Sequence, residues 1–391
     1  MPYPATLPAP LWSTPPGVSE RLAAWGCSAV RRLVAIRKAW PLGSRGTPVW
    51  AFATMPSGPA QSSDNVGGGA APASHTDPSF DPVAYHAPVL PDEVLHYLQP
   101  APGKVFLDCT LGGGGHSELL LAAGAEVIAV DQDADALKHA RERLRKYEGR
   151  FRSYRSNFRD FPKVLEECGV GRVDGILADL GVSSHQLDAA PRGFSFAREG
   201  PLDMRMNQGA GETAADLVNH AEPGELVRIL REYGEERQAK RIVRAIVERR
   251  AQRPFTTTLD LAQVIETTVP RHGKKTHPAT LTFQALRLAV NEEMTVLEDF
   301  LALVPRWLKQ GGRAVWISFH SGEDRMVKQA LARYSAEWLD RPEWPEPRRN
   351  PDFCMRLLTR KPVEATDDEL KRNPRARSAK LRAAERLPLS S

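Results

Sequence analysis

Residues 104–135, KVFLDCTLGGGGHSELLLAAGAEVIAVDQDAD, constrain this chain's fold more than any other stretch. Val105, Phe106 and Leu107 form a short apolar run that stops at Asp108, as a strand buried on both faces would. The chain then passes into four glycines, Gly112 to Gly115, and a helix bearing Leu119, Leu120 and Leu121 follows from His116. A second apolar run, Val127 to Val130, ends at Asp131. This is a β-loop-α-β unit with glycines at the first turn and a carboxylate at the tip of the second strand. In open α/β sheets ligands sit beyond the carboxyl ends of the strands, where glycines permit close approach and the second-strand acid reaches ribose hydroxyls. A dinucleotide fingerprint wants Gly or Ala where Ser117 stands. S-adenosylmethionine makes no pyrophosphate contact, so a glycine turn and an acid suffice for it.

A length of 391 residues accommodates one large domain with an insertion, or two domains. The net charge of +5 suits an anionic partner. Cys27, Cys109, Cys168 and Cys354 are scattered without a CxxC pair, which fits a reducing compartment rather than a disulfide framework or zinc site. No apolar run reaches the ~18 residues needed to span a bilayer.

Between Met1 and Ser63 the only acid is Glu20, while Arg21, Arg31, Arg32, Arg37, Lys38 and Arg45 are basic. Leu22, Trp25, Ala29, Leu33 and Ile36 recur among them at helical spacing. An acid-poor, Arg-bearing amphipathic start is the composition of a mitochondrial transit peptide, here residues 1–55; the alternative is a basic tail on a cytosolic or nuclear protein. Residues 56–84 are rich in Gly, Ala, Ser and Pro and read as a disordered linker.

Folded structure is expected from residue 85, with a short helix at Pro91 and Asp92. Ala134 to Tyr147 reads as a charged helix, Phe151 to Phe161 as a third strand and its exit, and Val173 to Asp179 as a fourth strand. The order is that of a doubly wound sheet. Residues 191–278 interrupt it with helices: one long amphipathic region broken near Gly234, and another after Thr256 to Thr258. The sheet domain, 85–190 and 279–391, resumes with a helix carrying Phe283, Leu286, Met294 and Leu297. Gly311-Gly312 then turns into a fifth strand, Ala314 to Ile317, and a helix runs from Glu323 to Tyr334. Phe353 to Thr359 and Ala379 to Ala384 suit a closing antiparallel pair, although the latter suits a helix as well. Arg237, Lys240, Arg241, Arg244, Arg249 and Arg250 on the inserted helices form either a solvated face or an RNA platform.

Eight ordered blocks resemble the RsmH (MraW) methyltransferase family, among them HAPVLPDEV at 86–94, GGGGHS at 112–117, DGILADLGVSSHQLD at 174–188, RGFSFAREGPLDMRM at 192–206 and ISFHSGEDRMVK at 317–328. They span nearly everything from 85 to 386; with the N-terminal composition they resemble the vertebrate mitochondrial branch. One departure is Gly322, where the family usually has Leu. The resemblance implies a class I (Rossmann-like) methyltransferase sheet with a helical insertion domain after the fourth strand. It further implies S-adenosylmethionine as cofactor and N4-methylation of a cytidine in mitochondrial small-subunit ribosomal RNA. Partners would be that RNA and the assembling small subunit, in the mitochondrial matrix. The cofactor residues it implies are Gly113, Gly114, Gly115, His116, Asp131, Phe158, Asp179 and Gln186.

Displacement at a sulfonium needs the lone pair of N4, which is delocalised into the ring, so the site must align N4 and accept a hydrogen bond from its N–H. Asp179 and the carbonyls of the 179–184 loop are candidate acceptors, with Ser183, Ser184, His320 and Ser321 as supporting donors. Methylation at carbon 5 would require a cysteine nucleophile in a strand-end loop such as Pro-Cys, and none of the four cysteines follows a proline. A DNA amino methyltransferase would carry an Asp/Asn-Pro-Pro-aromatic loop, whereas Asp179 is followed by Leu-Gly-Val. The competing function is a ribosome-assembly factor that acts mainly by binding the small subunit.

Overall fold

In the strands of the central sheet, successive side chains alternate between two apolar layers, and this fixes the architecture. Leu107, Ile176, Ala178, Ala314 and Trp316 point to one layer, while Phe106, Leu177, Val315, Ile317 and Ala383 point to the other. A strand buried on both faces must be covered twice by helices, which is why the apolar runs here are nearly continuous. The computed structural model describes residues 87–270 and 277–388. The expected transit peptide and linker lie outside the described residues.

Five parallel strands, β1 (Val105–Asp108), β2 (Glu126–Asp131), β3 (Phe151–Arg155), β4 (Val173–Asp179) and β5 (Leu308–Ser318), lie in the order β3-β2-β1-β4-β5. β9 (Lys380–Arg386) pairs antiparallel with β5, and β8 (Met355–Leu357) pairs antiparallel with β9. The 3-2-1-4-5 order with an antiparallel closing strand is that of a class I methyltransferase sheet. A small separate ribbon joins β6 (Trp338–Leu339) to β7 (Arg348–Arg349).

On one face lie α1 (Pro91–Leu98), α2 (Gly115–Ala122) and α3 (Ala134–Arg143), burying Val94, Leu98, Leu120, Leu121, Leu137 and Ala140. On the other lie α4 (Phe161–Glu167), α11 (Glu293–Trp307) and α12 (Ser321–Ser335), led by Phe161, Leu165, Phe300 and Val304. Between β4 and β5 the chain forms α5 (Ser184–Asp188), α6 (Ala214–His220), α7 (Pro223–Glu232), α8 (Ala239–Arg250), α9 (Thr258–Thr268) and α10 (Thr280–Val290). These share a third core around Leu226, Leu230, Ile242, Ile246, Phe255 and Ile265.

Two sequence expectations differ from the structure. The helix expected to resume the sheet domain is two helices: Phe283 and Leu286 of α10 join the insertion's core, whereas Leu297 and Phe300 of α11 pack on the sheet. The break falls where Glu292 takes φ 50°. The fifth strand also starts earlier than expected. Leu308 already pairs with Val173, and the chain bulges through Gly311 before Arg313 meets Gly175. Gly175 itself is dictated by packing, because a Cβ there would lie 2.5 Å from the Phe106 ring.

Candidate cofactor site

All four strand-end loops that converge on the site are held by short polar contacts. β1 ends at Asp108, whose Oδ1 accepts from Thr110 N–H at 3.1 Å and whose Oδ2 accepts from Ser117 Oγ at 2.7 Å, tying the glycine loop to the start of α2. Gly114, at φ 78°, is the cap of that helix, and Leu144 lies 3.1 Å from where its Cβ would be. Gly115 is crowded by Pro88 at 3.1 Å. The left-handed φ of Gly114 and the close approach of neighbouring side chains to both positions therefore favour glycine here.

Asp131 at the tip of β2 accepts from Gly112 N–H at 2.8 Å through Oδ2 and from Asp133 N–H at 2.8 Å through Oδ1. Its carboxylate thus ties the glycine loop to the β2–α3 loop, and each oxygen keeps a second lone pair for a ribose hydroxyl. Burial pushes its pKa up to about 6, against the pull of those two N–H donors.

Asp179 closes β4. Its N–H donates to Thr110 Oγ1 at 2.6 Å, fixing it beside the glycine loop. Its Oδ2 lies 3.6 Å from His116 Nδ1, while its Oδ1 is sealed from solvent and has no hydrogen-bond partner. Burial raises its pKa to about 6, with Asp108 and Glu323 adding to the rise and His116 opposing it. His116 Nε2 lies 2.8 Å from the Val89 carbonyl, which can only accept, so that nitrogen carries the proton.

The other expected residues are placed less directly. Ser183 caps α5: its Oγ accepts from Gln186 N–H at 3.2 Å, while Gln186 Oε1 accepts from Ser183 N–H at 3.0 Å. The Gln186 Nε2 donates to Asp133 Oδ2 at 2.7 Å, so this amide orders the loops. The side chain of Ser184 lies outside what the structure describes. Phe158 sits in a 3-10 turn capped by Asn157 and meets Phe300 edge-on at 5.2 Å, so it leans on the core at the sheet's mouth. The polar Asn157 beside it is accounted for by the cap.

His320 and Ser321 stand at the end of β5. His320 Nδ1 accepts from Gly322 N–H at 3.2 Å and Glu323 N–H at 3.4 Å, capping α12, and its Nε2 lies 3.0 Å from Glu323 Oε1. Burial works against ionisation of Glu323, but His320 and Arg287 outweigh it and hold its pKa below the usual value. Gly322 therefore sits in the first turn of an intact, capped helix. Ser321 Oγ donates to Glu235 of the insertion at 2.9 Å.

Sequence reasoning missed Asp133 and Arg192, a buried pair 2.7 Å apart, and Asn291, which donates to Met204 O and accepts from Met206 N–H, both at 2.8 Å. Arg192 and Met206 lie in the block read at 192–206, but their pairing partners are distant in sequence. Of the basic residues on the inserted helices, Arg237, Lys240, Arg241 and Arg244 are exposed. Arg249 instead pairs with Asp260 at 2.8 Å, and Arg250 donates to the Val218 and Ala221 carbonyls. Cys109 is buried, and burial pushes its thiol well above its ordinary pKa, so it stays protonated and is no nucleophile.

The sheet order, the glycine turn and the acids at the tips of β1, β2 and β4 define a class I S-adenosylmethionine-dependent methyltransferase. The chain belongs to the MraW methylase family, whose model matches residues 83–387. It is 48% identical over 308 residues to a ribosomal RNA small subunit methyltransferase H of Trichlorobacter lovleyi, covering 78% of this chain and 98% of that protein. It is 51% identical over 307 residues to the protein of that name from Geobacter sulfurreducens, covering 77% and 99%. Among solved structures it resembles a putative methyltransferase from Streptococcus mutans in complex with SAH, at 13% identity and a TM-score of 0.34 over 76% of this chain and 98% of that one.

The donor set fits the cofactor. Gly113 to His116 would present backbone to it, Asp131 has lone pairs for hydroxyls, and the Asp179 Oδ1 has no hydrogen-bond partner of its own. S-adenosylmethionine supplies a methyl group on a positively charged sulfur.

Proposed function

We propose that this chain methylates the exocyclic N4 of a cytidine in mitochondrial small-subunit ribosomal RNA, and so supports small-subunit assembly and mitochondrial translation. The similarity to ribosomal RNA small subunit methyltransferases H supports small-subunit ribosomal RNA as the substrate class. The observation that carries the amino-group reading is Asp179: an acceptor oxygen without a donor, at the end of β4 beside the glycine loop, where burial keeps the nearby Cys109 thiol protonated. A cytidine N4–H is a donor that such an oxygen can accept. Holding it there orients the nitrogen, and the proton can leave after transfer, so the carboxylate need not act as a strong base.

The target base must leave its stack to reach this mouth, which favours single-stranded or locally opened RNA. Arg237, Lys240, Arg241 and Arg244 are placed to hold phosphates on the insertion. The acid-poor, Arg-bearing start of the chain supports delivery to the mitochondrial matrix.

The test is mass spectrometry of N4-methylcytidine in mitochondrial small-subunit RNA from cells lacking the protein, complemented with wild type or Asp179→Ala. Loss of the mark and its return only with wild type is the expected result. An unchanged mark refutes the enzyme reading; assembly rescued by Asp179→Ala would assign the function to binding instead.

A further inference from the structure

Three loops that border the cofactor site meet at one buried side chain. Arg192, 5% exposed, follows α5 at the entrance to the insertion. Its Nη1 donates to Asp133 Oδ2 at 2.7 Å, and its Nη2 donates to the Arg205 and Met206 carbonyls at 3.2 and 3.1 Å. Asp133, 3% exposed, uses Oδ1 to cap α3 through Asp135 N–H at 3.0 Å, and Oδ2 also accepts from Gln186 Nε2. Asp133 N–H is one of the two donors that hold Asp131. The 205–206 segment is pinned in turn to Asn291 at the end of α10.

A surface pair with this geometry would mean little, but a guanidinium and a carboxylate withdrawn together from water are each expensive to leave alone. The arginine fork also has a direction. One arm holds the acid beside Asp131 in the sheet domain, and the other holds backbone carbonyls of the insertion. A lysine, with a single ammonium, can pair with Asp133 but does not reproduce the fork.

We infer that Arg192 and Asp133 are positioning residues for methyl transfer: their buried bridge sets the β2–α3 loop, and with it the Asp131 carboxylate, according to how the helical insertion is docked. The bridge acts through Asp131 and Gln186, and it rests on the assignment of this mouth as the S-adenosylmethionine site. Because the insertion carries the exposed arginines, the bridge also gives RNA-side contacts a physical route to the cofactor side, through one shared set of hydrogen bonds.

The full-length protein is titrated with S-adenosylmethionine by calorimetry, without RNA, so that the outcome does not depend on which RNA is methylated. Arg192→Met and the near-isosteric Asp133→Asn are each expected to weaken binding on the order of tenfold, and the double variant no more than either alone. Arg192→Lys should fall between wild type and Arg192→Met. Arg249→Met, which breaks a bidentate pair inside the insertion, serves as the control that lowers melting temperature without changing cofactor affinity. Should Arg192→Met fail to fold, Asp133→Asn and Arg192→Lys decide the matter. Affinity within twofold of wild type in a folded variant, or additive losses in the double variant, overturns the inference. Failure of the RNA reading would appear separately, as intact cofactor binding with no N4-methylcytidine.

Discussion

Replacing Asp179 with Asn should make the protein more stable at neutral pH while weakening its proposed activity, since a neutral amide oxygen is a poorer acceptor than a carboxylate. Folding takes this carboxyl from water to a site where burial raises its pKa to about 6. Ionising it there costs up to ~3 kcal/mol relative to the unfolded chain at pH 7. The side chain keeps 23% of its surface accessible, and His116 offsets part of the penalty, so a realised gain of about 1–2 kcal/mol is the expectation for the neutral amide. The sign follows from the raised pKa. The acid's contribution to stability is fully present below its unfolded pKa of about 3.9, is lost as pH rises to about 6, and is flat above that. Asp179→Asn should therefore match wild type near pH 4 and exceed it at pH 7.5, by roughly 2–6 °C in melting temperature. Thermal unfolding followed by circular dichroism at both pH values measures this. A melting temperature at pH 7.5 equal to or below wild type, or a gain just as large at pH 4, would refute the argument that an uncompensated carboxylate is held at this strand tip. The trade of stability for a strained functional group is a general one.

Three further outcomes follow from the same contacts. Methyl transfer should fall as pH drops through about 6, because Asp131 and Asp179 both take up protons there, and a profile flat from pH 5 to 8 would contradict it. Gly175→Ala should cost about 1–3 kcal/mol by driving its Cβ into the fully buried Phe106 ring, read as a lower urea midpoint with an unchanged slope. Glu369→Gln should loosen the turn at Val89 and Leu90, since Glu369 Oε1 accepts from Leu90 N–H at 2.7 Å; a loss of about 1–2 kcal/mol and weaker cofactor binding are expected, measured by melting and calorimetry.

The β1-loop-α2-β2 unit was legible because two apolar runs, four glycines and an acid each have a local meaning. The same holds for β4 and for the Gly234 break, where a Cβ would lie 2.6 Å from the Leu281 carbonyl. The start of β5 was hidden because its residues just after Leu308, Lys309 to Gly312, are polar or glycine and bulge out of register. The division of α10 from α11 was hidden because Asn291 and Glu292 are neither Gly nor Pro, and a left-handed Glu292 leaves no sequence signal. Asp131 was legible as a strand-tip acid, but its two backbone donors were not, since they come from the fold of the loops around it. Arg192 and Asp133 acquire meaning only as a pair 59 positions apart.

Leu90 holds φ at 52°, a conformation that costs a non-glycine residue energy, and the carboxylate that fixes its N–H comes from α13 (Asp367–Arg372), 279 positions along the chain. Through Val89 the same turn receives His116, and through Pro88 it abuts Gly115. The first described segment and nearly the last thus close upon each other over the glycine loop. In time rather than space, this makes the site a late product of synthesis: every side chain of the cofactor mouth has been made long before residue 369, yet the clasp that sets them does not exist until then. Contacts of such long sequence separation form slowly. A nascent or partly threaded chain would pass through a stage that has its five parallel strands but neither β9 nor the clasp over the cofactor mouth.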